Sequence, residues 1–519
     1  MKPVLIIGAG PVGLTSALAL AHYGIPFQIF EEDASLSQDT KAGTVLTRTL
    51  EAFRRFGVAE KVLSRSVRVD EISEIERASN AVQFSIRTDT LKDETRFPFV
   101  INIPQHHLEP ILSTHLDEAC GQPLRLQHRL VSYEQTDDGV VAIFDTPSGP
   151  QRFEGSYLLG CDGGRSSVRE MCGVTVEGVS LDVRYMLVDL KVDLDVTNPR
   201  DYPYLAYFSD ENEWMILVRQ PHCWRFLYPL ERDASAPSKE ELKEKALRFI
   251  GDANDVEVLG TVVYNVHHRI ATRWRDGRVF LMGDAAHLIT PMWALGMNTG
   301  VLDAISLSWR LAWVMRGWAG DDLLDGYERE QRPVASEGSG EMAEAARSHM
   351  AKQGDARMII PRHAWGNACT RTLLGIHLDL DGSRPWSMVR NDAAPPPLCV
   401  GDRLPDFPLQ GADGRALRLH DLVDKAFVAL HFVDARRRPP IPESTIQLKH
   451  YAVSRWDAPL DSGLRDISLF DPGDALRKRL GIEDDCVVLV RPDDYVAAML
   501  PAGERDVQDV YGSIVASSL

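Results

Sequence analysis

The chain has 519 residues, with 57 Lys and Arg against 75 Asp and Glu and a formal net charge of −18. So large an acid excess argues against nucleic acid or an anionic membrane as a partner, because either needs clustered Lys and Arg. With 44% hydrophobic and 25% charged residues, the composition is that of a globular protein too long for one core, which implies two or three domains.

The first element is an apolar run, Val4-Leu5-Ile6-Ile7, read as a buried strand and followed by Gly8-Ala-Gly10-Pro-Val-Gly13 and a helix rich in Ala and Leu. At such a turn, free backbone N–H groups and the helix dipole face a pyrophosphate. The next strand, Phe27-Gln28-Ile29-Phe30, ends at Glu31. A carboxylate about 20 residues past the glycines binds a ribose hydroxyl rather than a 2′-phosphate, so the resident nucleotide is expected to be FAD or NAD, not NADP. Glu71 to Ile101 then reads as strands, and a second glycine-bearing motif follows at Cys161-Asp162-Gly163-Gly164-Arg165. From Tyr185 to Leu230 polar and apolar residues interleave, as in Tyr204-Leu-Ala-Tyr207-Phe and Trp214-Met-Ile-Leu-Val-Arg219. That period of two predicts an antiparallel sheet laid over the nucleotide site, with its inner face lining a substrate pocket.

The third motif is a strand from Arg278 that ends in Gly283-Asp284-Ala285-Ala286-His287. After Pro291, Leu295-Gly296-Met297-Asn298 starts a helix running through Ala304 and Leu311. Asp284 is placed to hold a ribityl hydroxyl while the helix N-terminus faces the electron-rich end of a reduced flavin. Read together, the three motifs form one FAD site. Helical sequence continues from Ala335 to about Leu374, and Pro395-Pro396-Pro397 marks a stiff linker. Beyond it a third unit holds strands Phe427-Val-Ala-Leu-His-Phe and Cys486-Val-Val-Leu-Val, then Arg491-Pro-Asp-Asp-Tyr495.

The motifs, their order and their spacing resemble the class A flavoprotein aromatic hydroxylases of the para-hydroxybenzoate hydroxylase fold. The nearest branch is that of phenol and pentachlorophenol hydroxylases, with an added C-terminal thioredoxin-like domain. The resemblance implies an α/β fold in which a Rossmann-like FAD-binding domain (about 1–70, 105–180 and 270–385) is interleaved with an antiparallel-sheet substrate domain (about 71–104 and 181–269), followed by a thioredoxin-like domain at 398–519. It implies cofactor contacts at Gly8, Gly10, Gly13, Glu31, Lys41, Arg48, Gln105, Asp284, Gly296, Met297 and Asn298, and at Asp162 and Arg165 of the middle motif, which serves both FAD and the pyridine nucleotide. Two departures from the family pattern stand out. Lys41 replaces a more usual Arg, giving a point charge in place of a planar fork. Met292-Trp293-Ala294-Leu295 replaces a small, Gly-rich stretch, so bulk beside the flavin is expected to reshape the pocket.

The activity implied is hydroxylation of a phenolic ring, ortho to its hydroxyl, with NADH or NADPH as transient reductant and O2 as co-substrate, through a flavin hydroperoxide. A phenolate is the better nucleophile, which calls for hydrogen bonds or a nearby cation at the ring oxygen. Tyr207 and Arg225 are the candidates on the strand pair, and Pro291 matches a family proline beside the flavin. His287 is read as structural, His222 as a turn residue open to solvent, and Trp224 and Trp293 as possible walls of an aromatic pocket. Alternative readings are hydroxylation of a hydroxypyridine or polyketide-type aromatic, a flavin-binding protein without catalysis, and a flavin halogenase, whose Trp-x-Trp-x-Ile-Pro segment the chain lacks.

Seven scattered cysteines form no Cys-x-x-Cys pair, so neither a disulfide framework, a zinc site nor redox chemistry in the third unit is expected, leaving that unit a role in structure or in forming a homodimer. No apolar run reaches the ~18 to 20 residues of a membrane span, and the first strand begins without a leader, which reads as cytoplasmic.

Overall fold

Three segments far apart in sequence meet in one sheet. Strands Phe27–Phe30, Val4–Ile7, Tyr157–Gly160 and Val279–Leu281 lie side by side and parallel, with the short Arg275–Asp276 antiparallel at the edge. Apart from the half-buried Gln28, the parallel strands carry no charged or amide side chain, because both faces of the sheet are covered. The register sets Ile7 beside Gly160 and Phe30, and Gly160 beside Leu281. The three glycine-bearing motifs therefore leave the same carboxyl edge of the sheet, where open α/β sheets bind their ligands. The structure is a computed structural model, and it describes residues 1–38, 43–121, 124–194, 202–211, 213–250, 256–351, 362–380, 382, 397–433, 441–455, 467–501 and 506–516.

Over this layer lies an eight-stranded sheet in the order His287–Leu288, Glu257–Ala271, Val176–Lys191, Trp224–Glu231, Met215–Arg219, Leu205–Ser209, Glu71–Glu76 and Ala81–Arg87. It is antiparallel as expected, except that Leu205–Ser209 runs parallel to Glu71–Glu76. The segment read as strand up to Ile101 also divides differently. Thr88–Leu91 is a 3-10 turn, and Val100–Asn102 pairs with Thr44–Val45 and Val67–Val69 in a sheet of its own.

Period-two alternation splits the large sheet cleanly. Met186, Val188, Ala206, Phe208, Met215, Leu217, Phe226 and Tyr228 face outward into a core closed by helix Lys239–Ile250. Tyr185, Leu187, Leu205, Tyr207, Ile216, Val218 and Leu227 face inward to the core shared with the nucleotide layer. The register Tyr207–Ile216–Leu227–Leu187–Val262 runs across this inner face, and Leu205–Val218–Arg225–Asp189–Gly260 runs beside it.

Helix Leu295–Met315 is buried through most of its 21 residues and packs on helix Pro11–His22. The C-terminal unit is a mixed seven-stranded sheet ordered Ala416–Arg418, Pro408–Gly411, Ser468–Asp471, Leu448–Arg455, Phe427–Phe432, Cys486–Val490 and Val496–Pro501. It is fixed against Leu295–Met315 by Phe427, whose ring lies 5.5 Å from Trp309, and by Tyr511, whose hydroxyl accepts from the Trp313 indole at 3.3 Å. Pro395 and Pro396 of the expected linker and 352–361 of the expected helix lie outside the described residues. No helix among the described residues is long and apolar enough to cross a membrane.

Candidate active site

The dinucleotide cradle is built by the turn after Val4–Ile7. Gly8 has φ +99, and a Cβ there would meet the Cys161 carbonyl oxygen at 2.4 Å, so only glycine lets the first and second motifs approach. Gly10 is the reverse case. Its φ of −69 is ordinary, and a Cβ would meet nothing within 4 Å. That open space lies at the N-terminus of Pro11–His22, whose Gly10 cap offers no side chain to the helix N–H groups. Glu31 accepts from the Ala9 N–H at 2.8 Å and the Asp33 N–H at 3.2 Å, which brings its carboxylate to the edge of the same groove. These residues fit a pyrophosphate and its ribose.

The second motif is stiffened from within. Asp162 accepts from Ser166 Oγ at 2.5 Å, Ser167 Oγ at 3.1 Å and the Val168 N–H at 3.0 Å, capping the helix that follows, while Arg165 is exposed. Arg169, not foreseen from sequence, ties motif two to motif three by donating to the Gly164 carbonyl at 2.8 Å and the Ala285 carbonyl at 2.9 Å. In the third motif Asp284 is exposed on a tight turn, and beneath it Asp303 accepts from the Gly283 N–H at 2.8 Å and His287 Nε2 at 2.7 Å. Burial opposes a charge on His287, but Asp303 outweighs it and raises the pKa above the ordinary value. His287 is thus structural, as the sequence suggested. Asp303 lies on the helix after the motif, where spacing alone gave no signal.

Helix Leu295–Met315 begins at the carboxyl edge, with Gly296 and Met297 half-buried in its first turn. The Asn298 side chain is wholly engaged. Its Oδ1 accepts from the Leu46 N–H at 2.9 Å and Thr49 Oγ1 at 2.7 Å, and its Nδ2 donates to the Thr44 and Ala294 carbonyls at 3.1 and 2.7 Å. Gln105 opens helix Gln105–Cys120 and donates to Glu109 at 2.7 Å. Arg48 is buried, with Nη1 donating to Asp494 at 2.8 Å and Nη2 to the Asp493 carbonyl at 2.6 Å of the C-terminal unit, while its Nε has no partner among the described residues. Lys41 lies outside the described residues.

On the substrate side, Tyr207 and Arg225 both occupy the inner face of the large sheet, but apart. Two strands and two residues separate them, roughly 12 Å between Cα atoms at ordinary strand spacing, so the structure gives them different neighbourhoods. Tyr207 stacks on Trp293 at 4.7 Å with an interplanar angle of 18°, and Trp365 meets Trp293 edge-on at 6.1 Å. Burial pushes the Tyr207 phenol far up, so it stays a neutral hydroxyl. Trp293 and Ala294 both hold left-handed φ, at +58 and +56, two and three residues after Pro291. The bulk expected in this stretch is therefore turned onto Tyr207 as a wall. Two buried donors here have no partner among the described residues, the Tyr185 hydroxyl and the Trp365 indole N–H. Alternation from Leu187 would have placed Tyr185 on the inner face; nothing local marked Trp365.

Arg225 pairs with Asp189 through two bonds, Nε at 2.8 Å and Nη2 at 2.9 Å. The pair borders a cavity of about 440 Å³ lined by Leu187, Asp189, Gln220, Val262 and the rings of His106 and His107, with exposed His222 and Leu259 at its rim. Burial first, and the Arg225 charge second, hold His106 below its ordinary pKa; burial, His106 and His222 do the same for His107. Both directly follow Gln105 in sequence, the one local sign of their place.

A family described as FAD binding domain matches residues 1–338. The para-nitrophenol 4-monooxygenase of Pseudomonas sp. (strain WBC-3) is 29% identical over 362 residues, covering 69% of this chain and 89% of that protein. The 12-dehydrotetracycline 5-monooxygenase/anhydrotetracycline 6-monooxygenase of Streptomyces rimosus is 30% identical over 437 residues, covering 79% and 81%. Among solved structures, a ternary complex of aklavinone-11 hydroxylase with FAD and aklavinone superposes with a TM-score of 0.81 at 25% identity, over 100% of this chain and 99% of that one. With the glycine cradle, Glu31 and the three motifs gathered at one sheet edge, the chain belongs to the FAD-binding family of class A flavin-dependent aromatic monooxygenases.

Proposed function

We propose that the enzyme hydroxylates a phenolic ring of a multi-ring, polyketide-type aromatic, at the carbon next to the ring hydroxyl, with NADH or NADPH as reductant. The observation that carries this reading is the cavity of about 440 Å³ between the inner face of the sheet and the start of helix Gln105–Cys120, a size suited to a drug-sized ligand. Full-length likeness to a hydroxylase crystallised with aklavinone supports it, whereas likeness to the nitrophenol enzyme stops at 69% of the chain.

An FAD held there would supply the redox chemistry, namely hydride acceptance from the nicotinamide and activation of O2, of which one atom would enter the ring and the other leave as water. The remaining work falls to the chain. Gly10 and the N-terminus of Pro11–His22 would hold the pyrophosphate, and the first turn of Leu295–Met315 would favour negative charge on the reduced ring. Trp293, Tyr207 and Trp365 exclude water from the reacting face. The neutral Tyr207 hydroxyl orients the end of the substrate remote from His106, and the Pro291 carbonyl accepts a bond from substrate or nicotinamide. Neutral His106 is available to take the phenol proton at its ring nitrogen, with the Arg225 charge favouring phenolate.

The C-terminal unit reads as thioredoxin-like without redox chemistry. Phe427–Phe432 is parallel to Leu448–Arg455 and antiparallel to Cys486–Val490, and burial pushes the Cys486 thiol up to about 11, which leaves little thiolate.

The test is NADH and NADPH oxidation with O2 uptake across tetracycline- and anthracycline-type aglycones, hydroxypyridines and simple phenols, with product mass. Stimulation and a product one oxygen heavier from the multi-ring phenols alone is the expected result. Stimulation only by nitrophenol or chlorophenols would overturn the multi-ring assignment while leaving the monooxygenase. Tyr207→Phe should retain FAD and lower substrate-dependent turnover about tenfold, the loss of one oriented hydrogen bond; unchanged steady-state rates would remove Tyr207 from the mechanism.

A further inference from the structure

We propose that the turn Arg491–Tyr495 of the C-terminal unit is a clamp that holds two helices together, one of them bearing the first turn that faces the flavin, so that FAD affinity depends on side chains remote from the cofactor. The two helices are Thr47–Arg55 and Leu295–Met315. At their N-terminal ends Asn298 staples one to the other through Leu46 and Thr49. The turn joins them a second time. From the first helix, Arg48 reaches Asp494 Oδ2 at 2.8 Å and the Asp493 carbonyl at 2.6 Å, and Arg55 reaches the Pro492 carbonyl at 2.8 Å and the Asp494 carboxylate. From the second, the Trp309 indole donates to Asp493 Oδ2 at 2.9 Å beneath the Arg491 guanidinium, 5.3 Å from its ring centre. Arg491 and Arg310 then share Glu330 at 2.8 and 2.6 Å, and Arg403 pairs with Glu51 through Nε at 2.9 Å.

These arginines and acids are buried, so each charge is tolerated only while its partner is in place. The unit therefore has one favourable seating, and that seating fixes the two helices relative to each other. Because the helices are close-packed and stiff, a displacement at Trp309 or Arg48 is passed to the first turns at Gly296 and Leu46 instead of being absorbed. Arg48 thus acts on the flavin as a positioning residue. Asp494 has φ +67, a conformation Asp adopts more readily than most residues, which turns its carboxylate back between Arg48 and Arg55.

The clamp rests on FAD binding and not on the substrate assignment, and an FAD titration is silent on the latter. Apo-protein is titrated with FAD by flavin fluorescence, with circular dichroism and thermal melting alongside. Asp494→Asn should raise the Kd for FAD at least tenfold. The control is Glu94→Gln, which cuts another contact of the C-terminal unit, Arg479 Nε to Glu94 at 2.8 Å, and leaves every hydrogen bond of the Arg491–Tyr495 turn to the two helices in place. Its Kd should stay within twofold even where its melting temperature falls. An Asp494→Asn protein that binds FAD within twofold of wild type overturns the clamp, and so does an equal weakening by Glu94→Gln. If Asp494→Asn does not fold, Trp309→Phe removes only the indole N–H given to Asp493. A threefold or larger rise in Kd supports the clamp, and an unchanged Kd overturns it.

Discussion

At the scale of single residues, two glycines two positions apart do different work, and substitution separates them. Gly8→Ala places a Cβ 2.4 Å from the Cys161 carbonyl on a backbone at φ +99, so the apo-protein should lose about 2 kcal/mol or more, seen as a lower urea midpoint. Gly10→Ala meets nothing. Its apo-protein should be within about 0.5 kcal/mol of wild type, while FAD affinity falls because the methyl fills the space facing the phosphates. The His287–Asp303 pair gives a pH signature. Burial works against the imidazolium, but Asp303 raises the His287 pKa above that of the unfolded chain. The pair's stabilisation is therefore complete below an ordinary His pKa of about 6.5 and is lost as pH rises through the higher folded value. Urea stability followed across that window should fall for wild type and lose this dependence in Asp303→Asn.

At the scale of elements, the stretch Pro291 to Asn298 shows local preference overridden by packing. Trp293 and Ala294 adopt left-handed backbone, which costs an L-residue roughly 1–2 kcal/mol each. The compensation is visible at Trp293, stacked on Tyr207. Ala294 has no such stack, so Ala294→Gly should stabilise the apo-protein by about 0.5 kcal/mol, the relief of strain less the entropy of glycine; chemical denaturation would show it. The strands themselves were legible in the chain. Val4–Ile7 and Phe27–Phe30 fall where apolar runs placed them, and the alternation around Tyr207 and Trp214 identified a two-faced sheet. The parallel pairing of Leu205–Ser209 with Glu71–Glu76 was not legible, because alternation fixes which face a residue takes and not which strand lies beside it.

At the scale of the whole molecule, the C-terminal unit is joined to the rest by buried charge. Burial disfavours ionisation of Glu51, yet Arg403 and His420, with Arg48, hold its pKa at about 2; Arg310 and Arg491 do the same for Glu330. Folded pKa values this far below the ordinary 4.3 mean that the stabilisation is present above about pH 4.3 and drains away as pH falls towards 2. Acid titration of the apo-protein should show its steepest loss of stability in that interval. Glu51→Gln, which strands Arg403 without its buried counter-charge, should cost about 3–5 kcal/mol at neutral pH, measured by the urea midpoint.

The sequence by itself determined the cofactor layer: Gly8 to Gly13, Glu31, the Asp162 loop and the Asp284 loop each sit at a strand end, and a strand followed by a glycine turn is a local pattern that survives in any context. It also determined that Tyr207 and Arg225 share the inner face of a sheet, since alternation is local too. Only the tertiary structure decided that they stand apart, that Asn298 and Arg48 are engaged by protein groups, and that Asp303, Arg169, Tyr185 and His106 belong to the site. Those facts depend on which distant segments pack together, and buried charges such as Arg48 and Asp494, 446 residues apart in sequence, take their meaning only from the partner that packing brings.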